Sequence, residues 1–514
     1  MRVVSDDGVW VGIDVGTQSA RVLAVTAGGE VAGSGSVALH SRRDGLRHEQ
    51  DPRAWWDAVA GASRAALAGV APERVRAVAT CATSGTIVLV DAAGTPLTPG
   101  LMYDDGRAGE QAAQIGDALG VHMSASWALP KLRWMLDEWP RLAHGARLAH
   151  QADVVTRALA GRAVASDSSH ALKSGYDQER DAWPAIELLE EIVLPEVVRS
   201  GSVLGEVCAA AAVESAIPAG TPIVAGMTDG CAAQFAAGAL RAGDWNSVLG
   251  TTLVLKGYSA ERVEDPAGVL YSHRAPDGGW LPGGASSSGA GILSAEFADR
   301  DLDDLGRRAV QYEQTRVLAY PLVSRGERFP FSAPGARAFT IGEPEGEAER
   351  YAALLQGVAF VERLCLDYVD LLGAPTDGQL TLTGGATRSR QWCELRADVL
   401  GRPLRLVEQP EAAFGMAILA AASGGGGEAG GGEAGGGAVA GGGEAGGGAA
   451  GLAQAADAMV RTRELIEPRP QRAPRLLETY TRFVAELERR GWLGPQLARH
   501  ARARARGGVS GLNA

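Results

Sequence analysis

The alternation of apolar and polar positions predicts a β-hairpin at the start of the 514-residue chain. Positions 9–13 are apolar, Asp14-Val15-Gly16-Thr17-Gln18-Ser19 interrupts them, and 21–25 resume the pattern: strand, glycine-containing turn, strand. Gly28-Gly29 makes the next turn and a third strand is expected from Val31. Asp51-Pro52-Arg53 supplies an N-cap acid and a first-turn proline for a helix running through Trp55-Trp56 towards Leu67. Positions 75–79 read as a buried strand ending in the hydroxyl-rich turn 80–86, with 87–90 as its partner. The run 131–138, KLRWMLDE, has helical spacing and the charge balance of a surface helix. At mid-chain an apolar run ends at Asp229 and an Ala-rich helix follows; a second hairpin is expected where 246–249 break at Gly250-Thr251-Thr252 and resume at 253–255. In the last third, 351–371 form an amphipathic helix, 380–383 a strand entering Gly384-Gly385-Ala386, and 411–422 a further helix. The glycine-dominated stretch 423–450 cannot bury a core and is expected to be a flexible insertion, and the basic tail 496–514 is expected to be disordered.

Composition narrows the class. A hydrophobic content of 46% is that of a globular protein large enough for two domains, and a net charge of -12 argues against nucleic acid or an anionic membrane as partner. An anionic ligand would then need local backbone donors or magnesium. Cys81, Cys208, Cys231, Cys365 and Cys393 are widely spaced, with no Cys-x-x-Cys pair, so neither a disulfide framework nor a zinc site is expected. The acidic N-terminus lacks the form of a signal peptide and no apolar run is long enough to span a bilayer, so a cytoplasmic protein is expected.

An acid at the end of one strand and a Gly-Thr-Thr turn between two others supply what phosphoryl transfer requires: a proton acceptor, and backbone N–H groups able to face phosphate oxygens. An Asp in the position of Asp229, taken alone, is more often a helix N-cap than a base. Thr83 and Ser84, at a strand end, suit a polyol or an ordinary turn. The loop Tyr103-Asp104-Asp105-Gly106-Arg107 suits a ligand or an internal ion pair, and Asp167 faces either water or ligand. No Walker-A loop is present.

The order of these pieces resembles the FGGY carbohydrate kinases, through GIDVGTQSAR from Gly12, KLRWMLDE from Lys131, GMTDG from Gly226, LGTT from Leu249, SRGERFP from Ser324, TGGATRSRQW from Thr383 and EAAFGMAILA from Glu411. Within that family the chain looks most like the ribulose-kinase-like group, through TSGT at Thr83, ASDSSHALKSGYD from Ala165, GVLYSHR from Gly268 and WLPGGASSSGA from Trp280. The resemblance implies an α/β fold of two actin-like (ribonuclease H-like) domains, 8–242 for sugar and 246–495 for nucleotide, facing across a catalytic cleft. It implies ATP and Mg2+ as cofactors, a small-molecule sugar as substrate, no nucleic-acid or membrane partner, and it admits a homodimer. By the same resemblance Asp14, Gly16, Thr17, Gln18, Gly250, Thr251 and Thr252 bind phosphate. Gly384, Gly385 and Ala386 lie against adenosine, while Thr83, Ser84, Asp105, Asp167 and Asp229 bind sugar. Asp229 is the general base, and Asp14 and Asp229 hold magnesium through water. The implied acceptor is a ketopentose, D-ribulose before D-xylulose; another sugar or polyol is the alternative within the family, and a nucleotide-driven, chaperone-like binding protein the alternative outside it. One departure bears on the sugar: close relatives in that group have an Asp two residues before the turn threonine, where this chain has Cys81.

Overall fold

The computed structural model describes residues 8–121, 123–143, 145–312, 315–424 and 448–510. They form two compact α/β units, each drawn from three stretches of chain: 1–238, 273–279 and 409–460 in the first, 239–272, 280–408 and 461–514 in the second.

The first unit is built on a six-stranded sheet in the order Val203–Glu206, Pro222–Val224, Val75–Ala82, Val9–Val15, Ser19–Thr26, Val31–Ala38. The first hairpin pairs antiparallel and carries the third strand beyond it, whereas Val9–Val15 runs parallel to Val75–Ala82. Every residue of Val9–Val15 except Asp14 is buried, which is why that strand reads as continuously apolar. Helix Ala412–Gly424, placed by sequence order in the second half, packs in this unit against Val9–Val15, Val75–Ala82 and helix Asp229–Ala236. Gly12 permits that approach: a Cβ there would lie 1.8 Å from the carbonyl oxygen of Ala413. A smaller sheet orders Ser41–Asp44, Arg47–Gln50, Gly100–Leu101, Ile87–Val90 and Arg147–His150.

The second unit repeats the scheme. Trp245–Leu249 and Leu253–Gly257 form an antiparallel hairpin, Trp280–Ala285 extends it, and Leu380–Thr383 lies parallel to Trp245–Leu249 with Leu404–Val407 beyond. The 25-residue helix Glu347–Leu371 is buried almost all round and forms the centre of this unit's core. The tail expected to be disordered is instead a helix, Pro495–Ser510. Leu497, Ala501 and Ala505 recur every four residues and bury one apolar stripe between the arginines. Burying Leu497 alone contributes about 1.5–3 kcal/mol, and Arg504 pairs with Asp367 at 3.2 Å. The glycine-rich insertion lies, at 425–447, outside the described residues, flanked by helices Ala412–Gly424 and Gly448–Met459. Among the described residues no helix is long and apolar enough to cross a membrane.

Candidate active site

In the first unit the parallel pairing of the two central strands sets Asp14 opposite Cys81, and the bridge between Ala82 and Thr228 brings the start of helix Asp229–Ala236 to the same strand ends. Asp14 and Asp229 thus become neighbours. Burial and the negative charge of Asp229 raise Asp14 to about 7, against the opposing pull of the Cys81 thiol, which donates to Asp14 Oδ1 at 3.6 Å, and of Arg21. Burial and the charge of Asp14 hold the Cys81 thiol well above its ordinary value, so it is a neutral donor. Asp229 Oδ1 accepts from Gly230 N at 2.7 Å, at a helix N-terminus where a carboxylate is favoured. In the turn between the first two strands, Gly16 N closes the hairpin on Ser19 O at 3.0 Å, and Gln50 Nε2 holds the Thr17 carbonyl at 2.7 Å.

Three of the sugar-binding expectations fall on side chains with protein partners. Thr83 Oγ1 donates to Gln151 Oε1 at 2.7 Å and lies 2.5 Å from Thr86 Oγ1. Asp105 is fully buried, accepts from His48 N and pairs with Arg107 at 2.6 Å. Asp167 caps a short helix, accepting from His170 N at 2.8 Å and facing His170 Nδ1 at 2.6 Å. Ser84 is different: its Oγ is buried and has no hydrogen-bond partner among the described residues.

Two features escaped the sequence. Lys131, expected on a surface helix, is fully buried; its Nζ donates to Gly85 O at 2.6 Å and Met102 O at 2.8 Å, tying the Thr83–Gly85 turn to the loop that carries Asp105. Its spacing was the available signal, because Lys131 stands three residues after Ala128 and four before Met135 on the apolar face. Ser169 and His273 also contribute. Ser169 Oγ accepts from Thr228 N at 3.2 Å and lies 3.0 Å from His273 Nδ1, fixing the peptide that precedes Asp229. Nothing local in the sequence joins residues that far apart.

In the second unit a cavity of about 670 Å³ is lined by Gly250 and Thr251 from the hairpin turn, Gly291, and Gly385, Ala386 and Arg388 from the turn after Leu380–Thr383. A Cβ on Gly250 would meet nothing within 4 Å, so the backbone there is open to a ligand. Thr252 and Gly384 do not line this cavity. Gly384 has φ +87, and a Cβ would lie 2.6 Å from Leu249 O, so it sets the turn against the neighbouring strand. Buried Glu327 braces the other side: it accepts from Ser286 Oγ, Ser287 N, Ser288 Oγ and Tyr320 OH, and Ser288 O in turn takes the Leu253 N–H beside the Gly250–Thr252 turn. An open turn, a glycine-lined wall and a volume in the usual ligand range fit a nucleotide.

The sequence model described as the FGGY family of carbohydrate kinases, N-terminal domain, matches residues 9–236, and that for the C-terminal domain matches 245–424. The chain is 31% identical over 443 residues to a xylulose kinase of Streptomyces coelicolor, covering 81% of this chain and 87% of that one. A solved xylulose kinase from Rhodospirillum rubrum superposes with a TM-score of 0.80 at 25% identity, covering 93% of this chain and 98% of that one. A gluconate kinase from Lactobacillus acidophilus shares the fold, with a TM-score of 0.81 at 17% identity over 94% of this chain and 98% of that one. With both family domains matched in order on a duplicated α/β frame, the chain belongs to the FGGY family of carbohydrate kinases, ATP-dependent phosphotransferases with an alcohol group as acceptor.

Proposed function

We propose that this kinase phosphorylates the terminal primary hydroxyl of a ketopentose, with D-xylulose as acceptor and Asp229 as general base. D-xylulose replaces the D-ribulose favoured by the subgroup resemblance, because the relatives at about 30% identity are named xylulose kinases. The observation that carries the chemistry is the juxtaposition of Asp229 with Asp14 at the ends of neighbouring strands; Ser84, in the turn after the strand Val75–Ala82, adds a buried hydroxyl that lacks a partner. Ser84 bonds a sugar hydroxyl directly; Thr83, Asp105 and Asp167 shape the sugar pocket from their own hydrogen-bonded positions. Asp229 accepts the proton of the attacking hydroxyl as the bond to the γ-phosphorus forms, a contribution of about 10²- to 10⁴-fold. The N–H groups of Gly16, Thr17 and Gln18, and of Gly250, Thr251 and Thr252, serve the phosphates, and Gly384, Gly385 and Ala386 the adenosine.

Asp14 and Asp229 fit a water-rich Mg2+ site. No group of three or more His, Cys, Asp or Glu that could cage a metal occurs among the described residues, and Mg2+ characteristically keeps several waters on one or two carboxylates. When bound, the ion neutralises phosphate charge; Asp14 and Asp229 would hold it through water.

Cys81 accords with this assignment. Its thiol already serves Asp14, and an Asp at this position would add a third carboxylate to a pair that is short of compensating charge. ADP release measured over D-xylulose, D-ribulose, L-ribulose, ribitol, gluconate and glycerol tests the acceptor. D-xylulose is expected to give the highest kcat/KM, and a higher value for any of the others overturns the assignment.

A further inference from the structure

The first unit holds a second cavity, of about 460 Å³, which none of the residues discussed above as sugar, phosphate or metal contacts lines. It opens beside helix Gln151–Ala160 and the edge strand Val203–Glu206. Aliphatic side chains, Leu148, Val154, Val164, Leu194 and Leu204 among them, share its walls with polar groups. Val193 and Val203, also part of the lining, are 38% and 61% exposed. Large aliphatic side chains left in water around a concave surface mark a place where an apolar group is covered.

Three arginines share this cavity, and their guanidinium groups are underused. Arg147 is paired through its backbone with Val90 and Val193, and its guanidinium makes neither a hydrogen bond nor an ion pair with any described residue. Arg157 gives one N–H to Ala93 O at 2.5 Å, and Arg162 donates to Ala163 O at 3.2 Å and Leu204 O at 3.5 Å. A guanidinium has five N–H donors, so most of the set is left to solvent or to a ligand. The acids in the lining are Asp153 and Glu196. Asp153 is engaged away from the opening: His150 N and His150 Nδ1 each lie 2.8 Å from its Oδ2. Burial by itself would raise Asp153, but the charge and hydrogen bonds of His150 hold it below the ordinary carboxylate range, so it stays ionised. The three guanidinium groups outnumber the two carboxylates of the lining, and one of those carboxylates is already engaged by His150, so the cavity is cationic.

We infer that this cavity binds a small organic monocarboxylate carried on an aliphatic skeleton. The planar fork of an arginine matches a carboxylate through two parallel hydrogen bonds, the cationic lining attracts an anion, and the aliphatic side chains with their exposed valines accept the skeleton, which inorganic phosphate lacks. Neither half of the ligand suffices: the charge alone would stay hydrated, and the skeleton alone would leave the arginines unpaired.

Calorimetric titration of the full chain, with neither sugar nor nucleotide present, tests this independently of the kinase assignment. Sodium hexanoate is the probe, hexan-1-ol supplies the skeleton without the charge, and inorganic phosphate supplies the charge without the skeleton. Saturable binding of one hexanoate per chain is expected, at least about tenfold tighter than either control, a gap of one decade in Kd. Arg147→Gln and Arg162→Gln together, both at exposed side chains, are expected to weaken hexanoate about tenfold while the melting temperature is kept. Absence of saturable hexanoate binding overturns the proposal, and so does hexanol binding as tightly. Phosphate binding as tightly overturns the carboxylate class, and an unchanged hexanoate affinity in the double variant overturns the site. The comparison of the three probes on the unmodified chain decides the ligand class without any variant.

Discussion

The two units carry the same hairpin and use it in opposite ways. In each, a strand runs into a three-residue turn, 16–18 in one and 250–252 in the other, and lies parallel to a strand from later in the chain. Two residues before the turn glycine stands Asp14 in the first unit and Val248 in the second; across the parallel pair these meet Cys81 and Thr383. The first unit therefore gathers negative charge at its strand ends, Asp14 and Asp229 together, with a thiol as the hydrogen-bond donor to Asp14. The second unit leaves its strand end uncharged and pairs a buried carboxylate elsewhere with a buried cation: Glu362 receives two bonds of 2.7 Å from Arg396 and one of 2.6 Å from Ser247. Compensated charge deep in a core fixes structure, whereas carboxylates crowded at a strand end are held at a cost in stability, which makes them candidates for chemistry.

The comparison is broken most directly at Asp229. Asp229→Asn preserves shape and removes the base, so turnover should fall by about 10²- to 10⁴-fold while ADP binding, measured by calorimetry, changes little. Near-normal turnover would remove Asp229 from the chemistry. The matching cut in the second unit is Arg396→Met. Glu362 would be left buried and unpaired, costing about 3–5 kcal/mol in urea unfolding, while kcat per folded molecule stays within a few-fold. A variant that loses turnover but keeps its stability would reverse the roles given to the two units.

The duplicated hairpin also allows an exchange of character. Val248→Asp recreates the first unit's acid in the second, beside the turn proposed to receive phosphate; Val248 is only partly buried, so the strand should tolerate it. ATP affinity should weaken about tenfold, the effect of roughly 1.4 kcal/mol of repulsion. Unchanged affinity would mean that phosphate does not approach that turn. Cys81→Asp makes the converse overload in the first unit: a third carboxylate should lower kcat/KM for D-xylulose by several-fold, and an improved value for D-ribulose would restore the assignment suggested by the subgroup resemblance.

The hairpins, the central helices and the two glycine turns were legible because each is written in a local run: an apolar strand, a turn residue with backbone freedom, a strand again. Asp14, Asp229, Gly250 and Gly385 could be placed at strand ends and turns for the same reason, while the roles given to them came from the family resemblance. The surroundings were not legible, because they depend on which distant segments pack together. The run from Ser324 that contains Glu327 entered only as a family motif, yet its carboxylate is buried under serine and tyrosine donors drawn from 286–288 and 320. Thr83, Asp105 and Asp167 read as ligand contacts, yet Gln151, Arg107 and His170 engage them. The basic tail read as disordered because its arginines conceal an apolar stripe with four-residue spacing.

The contrast between the units extends to buried cations. Arg396 sits against a carboxylate, whereas the hydrogen bonds of Lys131 go to two backbone carbonyls. Burial and the nearby charge of Lys173 lower Lys131 to about 7, with Asp105 and Asp104 pulling the other way. In the unfolded chain a lysine holds its proton up to about 10.4. Between these values the unfolded state binds one proton more than the folded state, so this group's contribution to stability grows as pH rises from 7 towards 10 and is lost as pH falls through 7. Lys131→Met removes the titration and leaves Gly85 O and Met102 O without their donor, a cost of about 1–3 kcal/mol at each that does not itself vary with pH. Urea midpoints of both proteins at pH 6.5, 8 and 9.5 isolate the lysine, because every other titrating group cancels in the difference. The stability of the native chain relative to the variant should increase with pH across that series. A flat difference would mean that Lys131 keeps its charge in the folded state, with Asp104 and Asp105 compensating it as Glu362 does Arg396, and the two units would then handle buried cations alike.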